Sequence, residues 1–518
     1  LRRRRDAHPV GGTLAGRRRA ARHRRVSATF DTVLIANRGE IARRILRTAK
    51  ATGRRAVVVH HALDRDSPAV READQAVELH GATPVAAYLD GEAIIAAAQE
   101  TGADAIHPGY GFLSENADFA RKVAAAGLAF VGPTPEAIAL MGDKVRARAF
   151  VAERGFPVAP SAIEDDDPAS FTRRAARVGF PILIKPAAGG GGKGMRIVRQ
   201  AAELEAEIER ARSEGQRYFG DGRLYVERYV ERPRHIEVQV FGDRHGNIVH
   251  FWERECSVQR RFQKVVEEAP SPALDDKTRQ AICDAAVGIA HAAGYSNAGT
   301  VEFIHSQSGE FFFLEMNTRL QVEHPVTEAI TGFDLVREQL RIAAGEKLGY
   351  GQDAIRRRGH AIELRLYAED PARNFAPTTG DILLWREPAG PGIRVDTGFL
   401  QGQAVTAAFD PMLAKLIVHG DDRAEAIARG RRALEDFAVL GLATNGGFLH
   451  RLLAHPAFVA GDLHTGLIAE NPALAKPAER PPAETLALLA AAALATRPVR
   501  DAADAVPVLY AAMGHWRN

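Results

Sequence analysis

Apolar and polar residues alternate in short runs along residues 31–140, and these runs predict a parallel α/β unit. Two β-branched segments, residues 32–35 and 56–59, indicate buried strands. Residues 40–50 between them have the spacing of an amphipathic helix, and a second helix is predicted at 91–101. Strands that alternate with helices are typical of a Rossmann-like sheet. The glycine pattern of a dinucleotide site does not follow the first strand, so the scaffold is predicted without NAD.

A change in sequence texture at Lys144 indicates a second unit, which contains a glycine-rich loop between two apolar segments. Residues 180–184 predict a buried strand that ends at Lys185, and residues 195–198 predict a short strand. Four consecutive glycines at 189–192 lie between them. Such a run leaves backbone N–H groups free to bind an anion and allows the loop to move, so a mobile phosphate flap is favoured over a plain linker.

The residues after these glycines exclude one familiar motif. Lys193 adds a positive charge, but Gly194 and Met195 follow it, whereas the GxxxxGK[ST] phosphate loop requires serine or threonine next. The predicted order of strand, loop and strand also differs from the strand, loop and helix of that motif. Further strands are predicted at 224–230, which contains Glu227, and at 235–240 and 248–252.

A cationic segment at residues 253–264 follows these strands and ends at Lys264. Nucleic-acid binding is one explanation, but the segment is short, acidic residues flank it, and its single aromatic residue, Phe262, does not form a pattern of aromatics interleaved with the cations. Arginines and a lysine beside a metal suit a multiply anionic, phosphorylated intermediate instead. We therefore predict no nucleic-acid partner.

A predicted β-hairpin, with strands at 299–304 and 311–314, carries the densest group of polar side chains. If the turn is a two-residue loop at 308–309, Glu302 lies directly opposite Glu315, and Asn317 points to the same face. Opposed carboxylates repel each other, and a hard cation would relieve that repulsion. Mg²⁺ or Mn²⁺ fits, because such ions take one or two carboxylates and complete their shell with water and phosphate. The alternative is a solvated hairpin whose acids happen to align.

Residues 360–476 form a third predicted unit, which is rich in short strands. Arg365 stands in the middle of one strand among apolar neighbours. A lone strand arginine is usually a solvated residue on the outer face, and a catalytic role is the alternative. Within this unit, strands are predicted at 361–367, 382–385, 393–395 and 414–418, and a helix at 424–437. Outside it, a helix is predicted at 332–344 and an amphipathic tail helix at 485–496.

The charge balance depends on the leader, residues 1–30. The 68 basic and 65 acidic residues of the chain include ten arginines and one aspartate in this leader, so the remainder carries 58 basic against 64 acidic residues. We expect the leader to be disordered. Its composition suits a mitochondrial transit peptide, and a misassigned start or fragment edge is an equal alternative.

Two cysteines, Cys256 and Cys283, are too few for a disulfide framework, so a reducing compartment is expected. No apolar run of the length of a membrane span precedes the Ala-rich tail, which charges and prolines interrupt, so no membrane span is predicted. Among such compartments, we expect the cytoplasm rather than the mitochondrial matrix.

Six motifs occur in order along residues 31–476. They are VLIANRGEIA at 33–42, HPGYGFLSEN at 107–116, GGGGKGM at 189–195, RECSVQRR at 254–261, EMNTRLQVEHP at 315–325 and DPM at 410–412. Together the motifs resemble the biotin carboxylase component of biotin-dependent carboxylases, an ATP-grasp ligase. The chain is most similar to the α-chain of acyl-CoA carboxylases of the acetyl, propionyl or methylcrotonyl type.

The resemblance implies an α/β fold in which an ATP-grasp domain lies between a Rossmann-like N-terminal domain and a C-terminal α+β domain. The implied boundaries are 31–143 for the first domain, 144–359 for the ATP-grasp domain with a lid near 160–235, 360–476 for the third domain, and 477–518 for a tail or the start of a linker. The implied reaction is the first half-reaction of an acyl-CoA carboxylase. ATP phosphorylates bicarbonate to carboxyphosphate, this yields CO₂ and phosphate, and biotin is carboxylated at its ureido N1.

The resemblance also assigns residues. It implies ATP contacts for Lys144, Lys185, Gly190, Gly191, Lys193, Gly194, Met195, Glu227, His235 and Gln259, and metal ligands at Glu302, Glu315 and Asn317. Arg319, Gln321 and Val322 would line the bicarbonate pocket, with Glu323 as the base. Lys264 would steady carboxyphosphate, and Arg365 would stabilise negative charge on the biotin ureido oxygen. If the strand alternation continues past Asn317, then Arg319, Gln321 and Glu323 face bicarbonate while His324 points away.

The implied cofactors and partners are ATP, Mg²⁺ or Mn²⁺, bicarbonate, a carboxyltransferase subunit, and biotin on a carrier protein or domain. A homodimer or larger complex is expected. No Met-Lys-Met-like biotinylation site occurs in the chain, so biotin arrives on another polypeptide, or the sequence is a piece of a longer α-chain. Phe262 departs from the family, whose members often carry histidine there. The alternatives are another ATP-grasp ligase, such as a carbamoyl-phosphate-forming enzyme, and a non-catalytic assembly subunit.

Overall fold

The structure, a computed structural model, describes residues 30–164, 167–186, 195–219 and 222–476, together with residues 483, 484, 486 and 487 of the tail. The predictions for the leader, for most of the helix at 485–496, and for Gly190, Gly191, Lys193 and Gly194 lie outside the described residues. Within the described ranges, no helix combines the length and the apolar character that crossing a membrane requires.

The strands follow one another along the chain in three groups. The first group is β1 (Thr32–Ile35), β2 (Arg55–His60), β3 (Gln75–Glu78), β4 (Ala105–His107) and β5 (Ala129–Phe130). The second is β6 (Ser161–Ile163), β7 (Ile182–Pro186), β8 (Arg196–Val198), β9 (Leu224–Arg228), β10 (Arg234–Gly242), β11 (Ile248–Arg260), β12 (Gln263–Ala269), β13 (Asn297–His305) and β14 (Phe311–Asn317). The third is β15 (His360–Tyr367), β16 (Glu369–Asp370), β17 (Ala376–Pro377), β18 (Gly380–Asp381), β19 (Leu384–Arg386), β20 (Ile393–Thr397), β21 (Ala404–Val405), β22 (Met412–Gly420) and β23 (Ala438–Leu440).

The α-helices fall into the same three groups. The first is α1 (Gly39–Ala51), α2 (Pro68–Glu72), α3 (Pro84–Leu89), α4 (Gly91–Thr101), α5 (Ala117–Ala125) and α6 (Pro135–Met141). The second is α7 (Lys144–Glu153), α8 (Pro168–Arg177), α9 (Leu204–Phe219), α10 (Asp276–Ala292), α11 (His324–Thr331) and α12 (Leu335–Ala343). The third is α13 (Arg423–Asp436), α14 (Gly446–Leu453), α15 (Pro456–Ala460) and α16 (Leu467–Glu470).

The N-terminal unit contains the parallel sheet that the hydrophobic pattern predicts. Its five strands lie in the order β3-β2-β1-β4-β5, and every pair is parallel. The central strand β1 is buried on both faces, with Val33, Leu34 and Ile35 fully inaccessible. This is expected of a parallel strand covered by helices on both sides. The Rossmann-like part of the fold class is therefore confirmed.

A long antiparallel sheet connects the second and third units. Its eight strands lie in the order β14-β13-β10-β11-β12-β15-β22-β20. Because β12 pairs with β15, hydrogen bonds cross the boundary predicted at 359/360, and residues from both units share one face of this sheet. The domain boundaries themselves stay predictions.

A small antiparallel sheet, β6-β9-β7-β8, forms the region predicted as the lid. Strands β7 and β8 pair with Ile182 opposite Val198, so described strands stand on both sides of residues 187–194. The two strands predicted on either side of these residues are thereby confirmed. The core of this sheet is apolar and is formed by residues such as Ile182, Ile184 and Val226.

Two local predictions were wrong, and one strand was not predicted. The strand expected at 382–385 is shorter and later, at Leu384–Arg386, where it pairs with β23. The helix expected to begin at Gly332 begins at Leu335, because Gly332 ends α11 in the left-handed conformation and Asp334 caps α12 by accepting a hydrogen bond from the N–H of Arg337. The pattern also gave no sign of β12, whose charged residues hide its strand periodicity.

Candidate functional site

The hairpin β13–β14 brings together the carboxylates that the sequence predicted. Glu302 lies directly opposite Glu315, and Thr300 lies opposite Asn317. The turn is a five-residue loop rather than two residues, and a register shift between Glu302 and Phe303 restores the predicted pairing further from it. The predicted juxtaposition of Glu302 and Glu315 is confirmed, although the turn that motivated it is different.

Asn317 joins this carboxylate pair. Its Nδ2 donates to Oε1 of Glu302 at 2.9 Å, and Nζ of Lys144 lies 2.6 Å from Oε2 of Glu315. Lys144 is positioned by α7, which begins at this residue. Two opposed carboxylates and an amide are oxygen donors of the kind that a hard divalent cation requires, so the residues fit Mg²⁺ or Mn²⁺.

The chain leaves the strand after Asn317, so the predicted alternation through Glu323 is wrong. Residues 318–323 form a loop and turn, and Pro325 stands in the first turn of α11, which begins at His324. The turn still directs Gln321 into the site, where its Nε2 donates to Glu302 at 2.9 Å. His324 is fully buried and its Nδ1 lies 2.7 Å from the Gln321 carbonyl oxygen, a structural role as expected.

Lys264 is the centre of the site. Its Nζ lies 2.6 Å from Oε2 of Glu237, 3.0 Å from Oε1 of Glu302 and 2.6 Å from Oε1 of Glu323, and it also contacts Gln321 at 3.3 Å. These residues come from β12, β10, β13 and the turn before α11. One ammonium therefore holds three buried carboxylates from separate elements together.

The charges in this cluster are strongly coupled. Burial opposes the charged form of each group, but the surrounding opposite charges outweigh it. Lys264 and His235 hold the pKa of Glu302 well below its usual value, and Lys264, Arg365 and Arg254 do the same for Glu323. Both carboxylates are ionised at neutral pH. Burial lowers the pKa of Lys264, but the charges of Glu237, Glu302 and Glu323 outweigh it and raise this pKa well above its usual value.

Arg365 approaches Glu323 from the opposite side to Lys264. Its Nη2 lies 2.9 Å from Oε2 of Glu323, and the same nitrogen forms an ion pair with Glu267. Arg365 is buried rather than on a solvated outer face, because β15 lies inside the long sheet. Glu323 thus has a cation at each of its two oxygens.

His235 and Gln259 extend the site along β10 and β11. The Nε2 of His235 lies 2.9 Å from Glu302 Oε2, and its Nδ1 lies 2.7 Å from Gln259 Nε2. Burial lowers the pKa of His235, but Glu302 more than compensates and raises it. His235 therefore contacts the carboxylate group directly, and Gln259 contacts it through His235.

Lys185 and Glu227 form an ion pair within the small sheet, where β7 and β9 are neighbours. The hydroxyl of Tyr225 donates to Glu227 at 3.0 Å. Met195 lies just before β8, partly exposed. These residues make their contacts within the small sheet, while the carboxylate cluster lies on the long sheet.

Arg319 and Val322 connect the turn to other elements. Arg319 donates to Glu115 at 2.9 Å through Nε and to Oδ1 of Asn317 at 2.9 Å through Nη2. The carbonyl oxygen of Val322 accepts from Lys415 Nζ at 2.8 Å. Arg319 therefore connects this turn to the HPGYGFLSEN loop of the N-terminal unit.

Sequence reasoning missed three residues of the cluster. Glu237 ion-pairs with the fully buried Arg254 and with Lys264, and Glu267 ion-pairs with Arg365. Glu237 shares a strand face with His235, so the two-residue period of the predicted strand was a signal that could have found it. Glu267 had no such signal, because its strand was not predicted.

Three family models match consecutive parts of the chain. Residues 29–138 match the biotin carboxylase N-terminal domain, residues 143–350 match the ATP binding domain of the carbamoyl-phosphate synthase L chain, and residues 363–470 match the biotin carboxylase C-terminal domain. The matches occur in the order of the three predicted units.

Known proteins of the same kind are similar over most of the chain. Biotin carboxylase 2 of Bacillus subtilis is 47% identical over 443 residues, which cover 85% of this chain and 100% of that protein. The mitochondrial methylcrotonoyl-CoA carboxylase subunit alpha of Dictyostelium discoideum is 48% identical over 438 residues, or 84% of this chain. The chain spans 63% of the length of that relative.

A crystal structure of similar fold contains ligands. The biotin carboxylase domain dimer of 2-oxoglutarate carboxylase from Hydrogenobacter thermophilus, in complex with MgADP, ADP and bicarbonate, superposes with a TM-score of 0.81 at 44% identity. The alignment covers 87% of this chain and 99% of that chain. The ATP-grasp fold predicted from the motifs is confirmed.

Proposed function

We infer the function from one premise: the chain belongs to the biotin carboxylase family. The reaction that we propose is the carboxylation of biotin by ATP and bicarbonate, through carboxyphosphate, with the biotin held on a carrier protein. The observation that carries the proposal is the position of Glu323, a buried carboxylate between Lys264 and Arg365. A carboxylate can take a proton from bicarbonate, and the two cations suit the anions that form next.

Glu302, Glu315 and Asn317 are the residues that would hold Mg²⁺ or Mn²⁺. A cation held by these residues would supply positive charge that neutralises part of the charge of the nucleotide phosphates. Lys144 lies beside this group, so its ammonium can bind the same phosphates. The further ATP contacts in the proposal are Lys185, Met195, Glu227, His235 and Gln259 and, outside the described residues, Gly190, Gly191, Lys193 and Gly194.

Bicarbonate activation requires a change at Glu323. In the free protein its pKa is held well below the usual value, mainly by Lys264 and Arg365 against the effect of burial, so it is a weak base. Bicarbonate is an anion and competes for these cations. When Lys264 turns to the substrate, the pKa of Glu323 rises and the carboxylate can accept the bicarbonate proton. Arg319, Gln321 and the backbone of Val322 line the pocket in this proposal.

Lys264 and Arg365 then have different partners. Lys264 is directed towards the metal side by its contact with Glu302, which suits the phosphate end of carboxyphosphate. Arg365 lies at the far oxygen of Glu323, away from Glu302, and would stabilise negative charge on the ureido oxygen of biotin as N1 takes up CO₂.

The partners of the reaction are proposed from relatives. The chain would act as the biotin-carboxylating part of an acyl-CoA carboxylase, as in the methylcrotonoyl-CoA carboxylase alpha subunit, with a biotin carrier and a carboxyltransferase subunit. A homodimer is proposed, since the similar Hydrogenobacter domain is a dimer. Both cysteines are buried free thiols, which supports a reducing compartment and hence the cytoplasm.

Release of ADP, followed with and without bicarbonate and with and without biotin, tests the proposed function. We expect turnover that requires bicarbonate and increases when free biotin or a biotinylated carrier is added. Bicarbonate-dependent turnover that biotin does not change would favour a carbamoyl-phosphate-type ligase, an alternative that the ATP-binding family match supports. Failure to bind Mg-ATP would favour a non-catalytic assembly subunit.

A further inference from the structure

Two carboxylates behind Arg365 face each other across the long sheet. Glu267 on β12 is the register partner of Glu363 on β15, so their Cβ atoms are about 5 Å apart. Both side chains lie on the same face of the sheet as Arg365, two residues beyond Glu363. Both are inaccessible to solvent, with 0% exposure.

The pair has fewer partners than two buried anions require. Arg365 forms an ion pair with Glu267, but neither oxygen of Glu363 accepts a hydrogen bond from any described protein group. Lys415, the register partner of Arg365, is directed elsewhere. Its Nζ lies 3.1 Å from Glu40 and donates to the carbonyl oxygen of Val322. Among the described residues, Arg365 is therefore the one cation that contacts this pair directly, and it is already shared with Glu323.

The groups around the pair do not remove this imbalance. Burial and the charge of Glu323 raise the pKa of Glu267 to about 7 despite Arg365, and burial with Glu267 raises that of Glu363 well above its usual value despite Lys415. Helix α11 packs on β12 and β15 and contributes two titratable groups. Burial and Lys415 lower the pKa of His324, so its imidazole is neutral, and Glu328 is paired with Arg44 and Arg394. The charged groups acting on the pair are Arg365, Lys415, Lys264 and Glu323, and the titratable side chains of Cys256 and Tyr367 also interact with Glu267.

We propose that Glu267 and Glu363 share one proton and act together as a positioning pair for Arg365. An O–H of one carboxyl group donates to the ionised oxygen of the other, which satisfies both groups and leaves a single negative charge. Glu323 and this single charge then hold Arg365 from two sides. The inference rests on the proposed function only in giving Arg365 its task in biotin carboxylation.

The shared proton has a consequence for the reaction. When the pair loses this proton, a second negative charge appears beside Arg365. It draws the guanidinium away from the ureido oxygen of biotin. Biotin carboxylation is then expected to decline at alkaline pH with the titration of the pair. The cleavage of ATP that depends on bicarbonate is expected to decline less, since Arg365 acts after that step.

Infrared difference spectroscopy of the whole chain tests the proton directly. The spectrum of the wild type minus Glu363→Gln at neutral pH should contain the C=O stretch of a protonated carboxyl group, and the band should shift in D₂O. Glu310→Gln, at an exposed glutamate, is the matched control and should give no such band. If no protonated band is found, both carboxylates are ionised and the proposal is overturned.

The band can also be followed without a variant. If Glu363→Gln does not fold, the wild-type band should persist at neutral pH and disappear on titration to alkaline pH. If Glu363→Gln folds, its biotin carboxylation is compared with that of the wild type after each rate is scaled to its own maximum. The alkaline pH at which the rate has fallen to half should be higher in the variant by at least about one pH unit. An unchanged half-maximal pH would overturn the positioning role. The band needs no turnover, so its presence without biotin carboxylation would overturn the proposed function alone.

Discussion

The Nζ of Lys264 lies 2.6 Å from Oε1 of Glu323, so the proposed base of the reaction is bound to a cation in the free protein. This contact explains how a buried carboxylate can be ionised without a partner from solvent. In the reaction that we propose, the base becomes active when an anion takes over Lys264. Activation of the base is thereby linked to the arrival of the substrate.

Glu323→Gln tests this link. The amide keeps the size of the side chain and can still accept from Lys264, but it cannot take a proton. We expect ATP binding to be retained and bicarbonate-dependent ADP release to fall by about 10²–10⁴-fold. Equilibrium binding of Mg-ATP and steady-state ADP release measure the two effects, with Glu310→Gln as an exposed glutamate control. Unaltered turnover would contradict the role given to Glu323.

Arg365→Ala should separate the two halves of the reaction. We expect biotin carboxylation to fall by about 10²–10³-fold, because a buried charge donor to the developing oxyanion is lost, while bicarbonate-dependent ATP cleavage falls less. Both rates are measured on the same preparation, and Arg373→Ala, at an exposed arginine of the same unit, is the control. Equal losses in the two rates would count against the assignment.

The same variant carries a stability cost that must be measured. Removing Arg365 leaves Glu267 without its ion-pair partner, while Glu323 keeps Lys264, and breaking a buried pair of this kind costs about 3–5 kcal/mol. The thermal midpoint should therefore fall. The double variant Glu267→Gln/Arg365→Ala also removes the unpaired charge of Glu267. It should recover part of the loss in thermal midpoint without restoring biotin carboxylation.

Local patterns predicted the part of the site that lies within one hairpin. The alternation of β13 and β14 placed Glu302 opposite Glu315, and the structure has that pairing even though its loop is longer. Period-two reasoning failed at the end of β14, because the strand ends at Asn317 and the loop and turn before α11 direct Gln321 and Glu323. A turn of this kind has no periodicity that a sequence pattern could reveal.

Contacts between distant segments could not be predicted from the pattern. Lys264 and Glu323 are far apart in sequence, and only the pairing of β12 with β11 and β15 brings the lysine to the turn. The contact of Arg319 with Glu115 likewise depends on how the N-terminal unit meets the hairpin. The resemblance supplied Lys264 and Arg365, the strand period could have supplied Glu237, and Glu267 required the structure.

Glu315→Gln should weaken the response to the divalent cation. The amide keeps one oxygen but loses the charge opposite Glu302, so the Mg²⁺ concentration for half-maximal ADP release should rise by at least about tenfold. A Mg²⁺ titration of ADP release measures this change, and it should be larger than that of Glu310→Gln, whose carboxylate lies beyond the site near the turn. An unchanged Mg²⁺ requirement would remove Glu315 from the ligand set.

Asp396→Asn tests the acid stability of the interface between the first and third units. Asp396 is buried. Its Oδ2 accepts a hydrogen bond from Nη2 of Arg394 at 2.6 Å, and its carboxylate also forms an ion pair with Arg47 of α1. Burial would raise its pKa, but Arg394 and Lys415 hold it well below its usual value. Because the folded-state pKa is lower than that of the unfolded chain, its contribution to the free energy of unfolding is complete above the unfolded value of about 3.9 and is lost as pH falls below it.

At neutral pH we expect the free energy of unfolding of Asp396→Asn to be about 1.5–3 kcal/mol lower than that of the wild type, which is the usual contribution of a hydrogen bond to a charged group. Urea unfolding at a series of pH values measures the gap between the two proteins. The gap should stay constant from pH 8 to about pH 5 and shrink below about pH 4, since the wild-type aspartate then becomes protonated on unfolding. Other carboxylates titrate in both proteins and cancel in the difference. A gap that is the same at every pH would show that the charge of Asp396 does not stabilise this interface.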